Sequence, residues 1–277
     1  GAVSRYGLMA AVSSFDQIGP MGKTVADTKA VFDVIKGKDT NDGTTISSDT
    51  YALKPIRKVI GVPHELINQG MDAQVKANFD ATVAKFKSLG YEIKDISLPH
   101  AKFALPAYYI INFAEISSNL ARFDGVRYGL YKEGKNLIDD YVQSRGAGFG
   151  KEARRRILLG TYVLSSGYYD AYYNKANALR DLIRQDYAEA FKSVDAIITP
   201  TTPAPAWKIG DKSSNPMEMY LADVFTVTPN LTGMPALSIP CGTASVEGKD
   251  LPLGLQLVGT HGADDNLFTI ASSFLGE

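Results

Sequence analysis

The feature that most constrains the fold is a strand-helix-strand pattern within residues 58–97. A short apolar run at 58–62 precedes a helical pattern at 73–89 and a second strand pattern at 92–97. In the helix, apolar residues recur at spacings of four, four and three, which places them on one face, and Gly90 follows as a stop signal. Because a helical crossover joins strands that run in the same direction, the pattern predicts a βαβ unit within a parallel or mixed sheet.

Residues 107–192 form a different kind of region, because helical patterns fill it and glycines interrupt it. On its last helix, an apolar stripe from Tyr168 to Tyr187 predicts a buried face. We interpret this region as a helical block inserted between the elements of a mixed α/β layer. The flanking patterns predict a helix at 25–36 capped by Thr24, strands at 195–199, 236–239 and 253–258, and a closing helix from Asp264.

Composition restricts the classes of function. The chain has 277 residues, and its 45% hydrophobic content is sufficient for a core without disulfides, which a lone Cys241 cannot form internally. A formal net charge of -1 gives no electrostatic footprint for binding nucleic acid unaided. Apolar runs stay short of the roughly 18 residues that cross a bilayer, so we expect a soluble, cytoplasmic protein. We expect both ends to be cut, because the chain opens on Gly1 rather than Met and closes at Gly276-Glu277 directly after the predicted last helix.

Several kinds of catalytic site have no support in the residues. The nucleophile elbow G-x-S-x-G is missing, because 242–248 has the wrong spacing. The three histidines lie too far apart for a local zinc motif. Residues 146–151 lack the spacing and the Ser or Thr of a phosphate-binding loop, so we interpret them as a flexible connection. Cys241 follows a predicted strand and is interpreted as a structural thiol.

A basic cluster stands beside an apolar run. Three arginines at 154–156 precede residues 157–164, which are apolar on nearly every helical face and are therefore expected to be buried. Cations at the start of a helix are repelled by the positive end of the helix macrodipole, so they need acidic partners. Arg156 lies one turn before Gly160, whose missing side chain leaves room for a ligand. The alternative is a solvated basic patch.

Asp223 is a second charge in apolar surroundings, within residues 219–225. A buried, unpaired carboxylate there would cost several kcal/mol. The residue is therefore either at an exposed helix end or one half of a buried charge arrangement, and the pattern favours neither.

Four stretches of the sequence carry a resemblance: 3–24, with Phe15-Asp16-Gln17-Ile18-Gly19-Pro20, then 115–125, 149–176 and 230–236. The opening stretch resembles the segment that follows the nucleophilic serine in amidase-signature enzymes. The stretches 115–125 and 149–176 resemble specifically the A subunits of glutamyl-tRNA(Gln) amidotransferases, whereas 230–236 is shared widely across amidases.

This resemblance implies the fold and the place of the chemistry. The expected fold class is α/β: an amidase-signature-type mixed β-sheet flanked by helices, with a helical insertion, incomplete at the N-terminus. Residues 1–277 would be the C-terminal portion of a single domain. In this family a serine on a Gly-Gly-Ser loop is activated through a second serine by a neutral lysine. Gly-Gly-Ser does not occur in this sequence. We therefore assign no catalytic residue and expect the chain alone to be inactive.

The family's glutamine-recognition residues match three positions. Arg156 would bind the substrate's α-carboxylate, Asp223 would accept its α-ammonium, and Tyr108 would line the site, with Tyr109 an alternative one register away. Phe15 stands where the family leads us to expect leucine.

The resemblance also implies partners and a reaction. The A subunit hydrolyses glutamine and passes ammonia to a B subunit, which uses ATP and Mg²⁺ to amidate Glu-tRNA(Gln), and a small C subunit braces the pair. We expect no cofactor, metal or membrane contact in this chain, and tRNA contact only through the B subunit. A general amidase acting on another amide, and a non-catalytic scaffold or interaction module, remain alternatives.

Overall fold

A computed structural model of the chain describes residues 1–47, 50–51, 55–67, 70–211 and 216–277. The chain divides into two compact units. Unit 1 comprises Gly1–Tyr6, Gln17–Leu105 and Leu179–Glu277, and unit 2 comprises Gly7–Asp16 and Pro106–Ala178. The predicted helical block at 107–192 therefore extends beyond unit 2, because residues from Leu179 onward belong to unit 1.

The predicted helices and strands occur in the predicted order, and the structure adds three short helices at His64–Ile67, Pro216–Leu221 and Val227–Thr232. Thr24 caps the first helix as expected, because its side chain accepts a hydrogen bond from the backbone N–H of Asp27 at 3.0 Å. The strands are β1 Val59–Val62, β2 Glu92–Asp95, β3 Ala196–Pro200, β4 Ala236–Val246 and β5 Lys249–Gly259. The α-helices are α1 Val25–Ile35, α2 His64–Ile67, α3 Ala73–Ser88, α4 Ala104–Asn119, α5 Leu137–Gly148, α6 Lys151–Val163, α7 Lys175–Ala190, α8 Pro216–Leu221, α9 Val227–Thr232 and α10 Asp264–Leu275.

Unit 1 contains a mixed sheet. In the described part of the chain its five strands lie in the order β2-β1-β3-β5-β4. Strand β1 pairs in parallel with both β2 and β3, which confirms the predicted βαβ unit. Strand β5 runs antiparallel to β3 and to β4. The β4–β5 hairpin is longer than predicted, since β4 continues past a register shift between Pro240 and Gly242.

The core of unit 1 forms where helices pack on this sheet. Every residue of β3 is buried, as expected for a strand paired on both sides. One face of the sheet packs against α1, α3 and α10, whose aromatic side chains stack within the core: Phe86 lies 4.9 Å from Phe274 between ring centroids. At roughly 1.5–3 kcal/mol for each fully buried large apolar side chain, this cluster is a major source of stability for unit 1.

Two aspartates attach the first residues of the chain to the rest of unit 1. The Ser4 hydroxyl donates to Asp39 at 2.6 Å, and the backbone N–H of Arg5 donates to Asp42 at 2.8 Å. Asp42 also accepts hydrogen bonds from the hydroxyl and backbone N–H of Thr44. These donors stabilise the carboxylate, and they hold the pKa of Asp42 well below its usual range, with the Thr44 hydroxyl the largest cause.

Unit 2 consists mainly of helices, and its packing corrects two predictions. The apolar run at 157–164 is not buried as a whole: Leu158 is 72% exposed, whereas Gly160 and Val163 are buried. The predicted stripe on the last helix is buried at Ala176, Ile183 and Tyr187, but its first part is interrupted, because residues Tyr169–Asn174 form a π-helical segment. Tyr168 is exposed and packs against Tyr162, with ring centroids 4.5 Å apart. Periodicity predicted the helices but not which faces are covered.

Gly160 corrects a third prediction, because its missing side chain leaves no room for a ligand. A Cβ at this position would lie 1.8 Å from the backbone oxygen of Phe113 and 2.6 Å from the Cβ of Ser117, both on α4. The Ser117 and Thr161 hydroxyls are hydrogen-bonded at 3.0 Å beside it. The glycine therefore lets α6 approach the backbone of α4.

In the part of the chain that the structure describes, no helix is both long enough and apolar enough to cross a membrane.

We expect Gly160→Ala to destabilise the chain by about 1–3 kcal/mol, because overpacking outweighs the roughly 1 kcal/mol by which alanine favours a helix. Gly146→Ala is the matched control, since Gly146 lies in α5 with nothing within 4 Å of a Cβ. That change should stabilise by up to about 1 kcal/mol. Urea unfolding of the 277-residue chain measures both, and equal effects at the two glycines would contradict the close helix contact.

Asp42 should make stability depend on pH. Its folded pKa is depressed, so its contribution is complete above the ordinary value of 3.8 and is lost as the pH falls below it. We expect Asp42→Asn to be less stable than the parent at pH 7, with the difference shrinking on acidification. Thermal unfolding from pH 7 to pH 3 measures this, with Asp250→Asn, an exposed carboxylate on β5, as control. A difference independent of pH would refute the assignment.

Candidate substrate-recognition site

Helix α4 carries a stripe of residues that organises the candidate site in unit 2. Tyr108, Asn112, Glu115 and Asn119 follow one another at spacings of four, three and four residues, which places them on one face of the helix. Residues at these spacings lie above one another along the helix axis, so their partners also lie side by side. We call these four residues the α4 stripe.

Tyr108 is the more accessible of the two candidate tyrosines. Its ring is half-buried and stacks on Phe15, with centroids 5.0 Å apart and an interplanar angle of 14°. Tyr109 is only 8% exposed, and its ring is perpendicular to that of Tyr108. Phe15, the departure noted in the sequence, thus supplies a flat aromatic surface against which the Tyr108 ring is oriented.

Glu115 and Asn119 bind the opening segment of unit 2. The Glu115 carboxylate accepts hydrogen bonds from the backbone N–H of Ser14, at 2.9 Å, and from the Ser14 hydroxyl. The Asn119 amide donates to the backbone oxygen of Ala11 at 3.1 Å and to the Ser13 hydroxyl at 2.9 Å. Four hydrogen bonds therefore attach residues 11–14 to one helix.

Arg156 lies on α6 with its guanidinium held at two nitrogens. Its Nε donates to the carboxylate of Glu152 at 2.7 Å, and its Nη1 donates to the side-chain oxygen of Asn112 at 3.2 Å. Glu152 also forms an ion pair with Arg155. Positive charges are unfavourable at the start of a helix, and Glu152, an acidic residue in the first turn of α6, partly neutralises the three arginines there. The Arg156 side chain is 25% exposed.

Asp223 belongs to unit 1, in the turn that joins α8 to α9. It is half-buried, and its backbone oxygen accepts hydrogen bonds from Thr226 and Val227 at 3.0 and 3.1 Å. The buried side chain of Gln256 on β5 donates to the backbone oxygen of Phe225 at 3.0 Å, which anchors this turn to the sheet. Of the sequence-predicted residues, Tyr108 and Arg156 therefore share unit 2, while Asp223 lies in unit 1.

Sequence reasoning missed the partners that hold Arg156. Glu152 had a detectable signal, because a carboxylate four residues before an arginine on a helix is a favoured pair. Asn112 had a weaker signal: it is a polar residue in the apolar run 110–114, and it is only 4% exposed. Neither spacing nor composition showed that it faces α6.

The other candidate groups have structural partners. Burial raises the pKa of the Cys241 thiol, whose Sγ lies 3.0 Å from the Asn78 side chain and 3.4 Å from the Leu253 backbone oxygen. Gly146 and Gly148 lie in the last turn of α5, so the predicted flexible connection is confined to residues 149–150. Among the described residues, His, Cys, Asp and Glu side chains form no group of three or more that would hold a metal ion.

Comparison with known proteins identifies the family. Residues 1–268 match the family model described as Amidase. The chain is 50% identical over 280 residues to the glutamyl-tRNA(Gln) amidotransferase A subunit of Koribacter versatilis, covering 98% of this chain and 57% of that protein. A second relative of that name, from Caldanaerobacter subterraneus, is 48% identical over 281 residues, covering 99% of this chain and 57% of that protein. This chain therefore spans little more than half the length of these curated relatives.

Solved structures agree with this assignment. The glutamyl-tRNA(Gln) amidotransferase A subunit of Thermotoga maritima matches with a TM-score of 0.76 and 36% identity, covering 99% of this chain and 55% of that one. An allophanate hydrolase of Kluyveromyces lactis has a TM-score of 0.80 at 20% identity, covering 100% of this chain and 42% of that one, and so supports the fold alone. The mixed sheet flanked by helices is that of these structures, and the chain belongs to the amidase family.

Proposed function

We propose that this chain is the glutamine-recognising part of the A subunit in a glutamyl-tRNA(Gln) amidotransferase. The observation that carries the proposal is Arg156, a guanidinium held at two nitrogens, one of them by the same α4 stripe that carries the accessible Tyr108. The names of the relatives from Koribacter versatilis and Thermotoga maritima support the same function.

Glutamine presents two opposite charges at its α-carbon, and the proposed residues match them. Arg156 binds the α-carboxylate, because a planar guanidinium matches a carboxylate with two parallel hydrogen bonds. Asp223 accepts the α-ammonium. Tyr108, whose ring is oriented by Phe15, contacts the aliphatic part of the substrate. In this arrangement the γ-amide is the end of the molecule left for the reaction.

In the proposed reaction, glutamine is hydrolysed to glutamate and ammonia through a γ-glutamyl ester on a serine. That serine lies on a Gly-Gly-Ser loop, a motif that this sequence does not contain. The ammonia passes to a B subunit, which activates Glu-tRNA(Gln) with ATP and Mg²⁺ and amidates it, while a C subunit braces the pair. The near-neutral charge of -1 agrees with contact to tRNA through the B subunit. The proposed location of the complex is the cytoplasm.

Arg156→Met tests recognition of the α-carboxylate. We use the term assembled amidotransferase for the complex with a full-length A subunit. In it we expect KM for glutamine to rise at least about thirtyfold with little change in kcat, because removing one partner of such a charge pair costs about 2–5 kcal/mol. Arg154→Met, at an exposed arginine of the same helix, should leave KM unchanged. The same variants are assayed with 4-aminobutanamide, which is glutamine without its α-carboxylate. A parent enzyme that does not prefer glutamine over this amide would favour a general amidase instead.

The 277-residue chain alone should release no ammonia from glutamine, because its sequence lacks the Gly-Gly-Ser loop. The measurement is ammonia production by the purified chain, with the assembled amidotransferase as the positive control. Ammonia production that a serine-directed inhibitor abolishes would show that the chain contains its own nucleophile and would overturn this part of the proposal.

A further inference from the structure

We propose that Asn112 is a positioning residue that sets the orientation of Arg156 and thereby the selectivity for an amide with a free α-carboxylate. The inference rests on the proposed function, because it assigns a role to Arg156. It concerns a residue that touches the arginine and is not itself assigned to the substrate. The carrying observation is the hydrogen bond between Arg156 Nη1 and Asn112 Oδ1, at 3.2 Å.

The surroundings of Asn112 make this hydrogen bond important. The side chain is only 4% exposed, and the two residues on either side of it in the sequence are apolar. Burying an amide without a hydrogen-bond partner costs about 1–3 kcal/mol, so a buried asparagine at this position needs a partner. Arg156 supplies that partner from α6, which Gly160 brings against the backbone of α4.

Arg156 contacts Glu152 and Asn112 through different nitrogens. Glu152 accepts from Nε and Asn112 accepts from Nη1. A guanidinium is planar and has five N–H donors in a fixed arrangement, so two contacts at separate nitrogens define its plane. The hydrogen bond to Glu152, four residues away on the same helix, permits rotation of the guanidinium about that bond, and the hydrogen bond to Asn112 on α4 restricts this rotation. A restricted guanidinium plane favours a bidentate contact with a carboxylate.

An asparagine suits this position better than an aspartate. Arg155 and Arg156 share one carboxylate, that of Glu152, so this cluster of three carries a net charge of +1. The neutral amide oxygen of Asn112 orients the arginine without changing that charge. A carboxylate at position 112 would lower the positive charge around Arg156 and weaken its attraction for the α-carboxylate of the substrate.

Two variants of the assembled amidotransferase separate orientation from charge. We expect Asn112→Ala to raise KM for glutamine about tenfold, as is typical for loss of one hydrogen bond to a charged group, with kcat within about twofold. Asn112→Asp keeps the shape and the acceptor atom, and it should raise KM at least as much. KM for 4-aminobutanamide should not change in either variant. Asn177→Ala, which removes an amide that donates to Tyr173 within the helical region, is the control and should leave all constants unchanged.

The outcomes distinguish this inference from the proposed function. If Arg156→Met removes the preference for glutamine while Asn112→Ala and Asn112→Asp leave it intact, the positioning role is wrong and glutamine recognition stands. Equal increases in KM for both amides would show a merely structural role for Asn112 and would also overturn it. If Arg156→Met leaves the preference unchanged, both inferences fail. Asn112→Asp decides the case if Asn112→Ala does not fold.

Discussion

The contact between α4 and α6 at Gly160 is the constraint on which the candidate site of unit 2 depends. Any side chain at this position would overlap the backbone of Phe113, so the two helices can approach this closely only at a glycine. Arg156 lies one turn before Gly160 on α6, and Asn112 is adjacent to Phe113 on α4. The glycine therefore brings the arginine of one helix within reach of the asparagine of the other. The sequence suggested an empty space here, whereas the space is filled by backbone.

Several charged side chains in the described part of this chain are stabilised by nearby polar or oppositely charged groups. Glu152 places a negative charge in the first turn of α6, where the macrodipole favours it, and it pairs with two of the three arginines that the macrodipole disfavours. Asp39 and Asp42 accept hydrogen bonds from the first residues of the chain in the same way. The ion pairs of Glu152 with the two arginines are partly exposed, and pairs of this kind contribute little to stability, typically below about 1 kcal/mol. Their effect is to fix which way a side chain or a segment points.

The βαβ unit of the sheet was predictable from the sequence because short, local sequence patterns specify its strands and its helix. Apolar runs, the stop at Gly90 and a helix of crossover length were sufficient for the βαβ unit, which β1 and β2 form in parallel. Exposure was less predictable. Leu158 lies in an apolar run and is 72% exposed, because periodicity describes a helix and not what packs against it. The π-helical segment Tyr169–Asn174 shifts the later apolar residues relative to Tyr168, and no spacing in the sequence marks it.

In the candidate site, too, local contacts could be predicted from the sequence and contacts between helices could not. Glu152 was within reach of sequence reasoning, since the pair with Arg156 follows from helical spacing alone. The partner on α4 was not, because a hydrogen bond between residues 44 positions apart depends on how two helices pack. The different exposure of Tyr108 and Tyr109 likewise could not be predicted from the sequence. Adjacent helical residues point about 100° apart, and only the packed chain shows that Tyr109 is buried.

The α4 stripe also gives a physical reason why two separate motifs of the resemblance occur together. Glu115 and Asn119 belong to the stretch 115–125, and their side chains bind residues 11–14 of the opening stretch. Each motif therefore contains the hydrogen-bonding partners of the other. The next two residues of the stripe toward the start of α4 are Asn112 and Tyr108, which contact Arg156 and Phe15. One helix face thus links the opening segment of unit 2 to the proposed carboxylate-binding arginine, so a shift of α4 along its axis would displace both together.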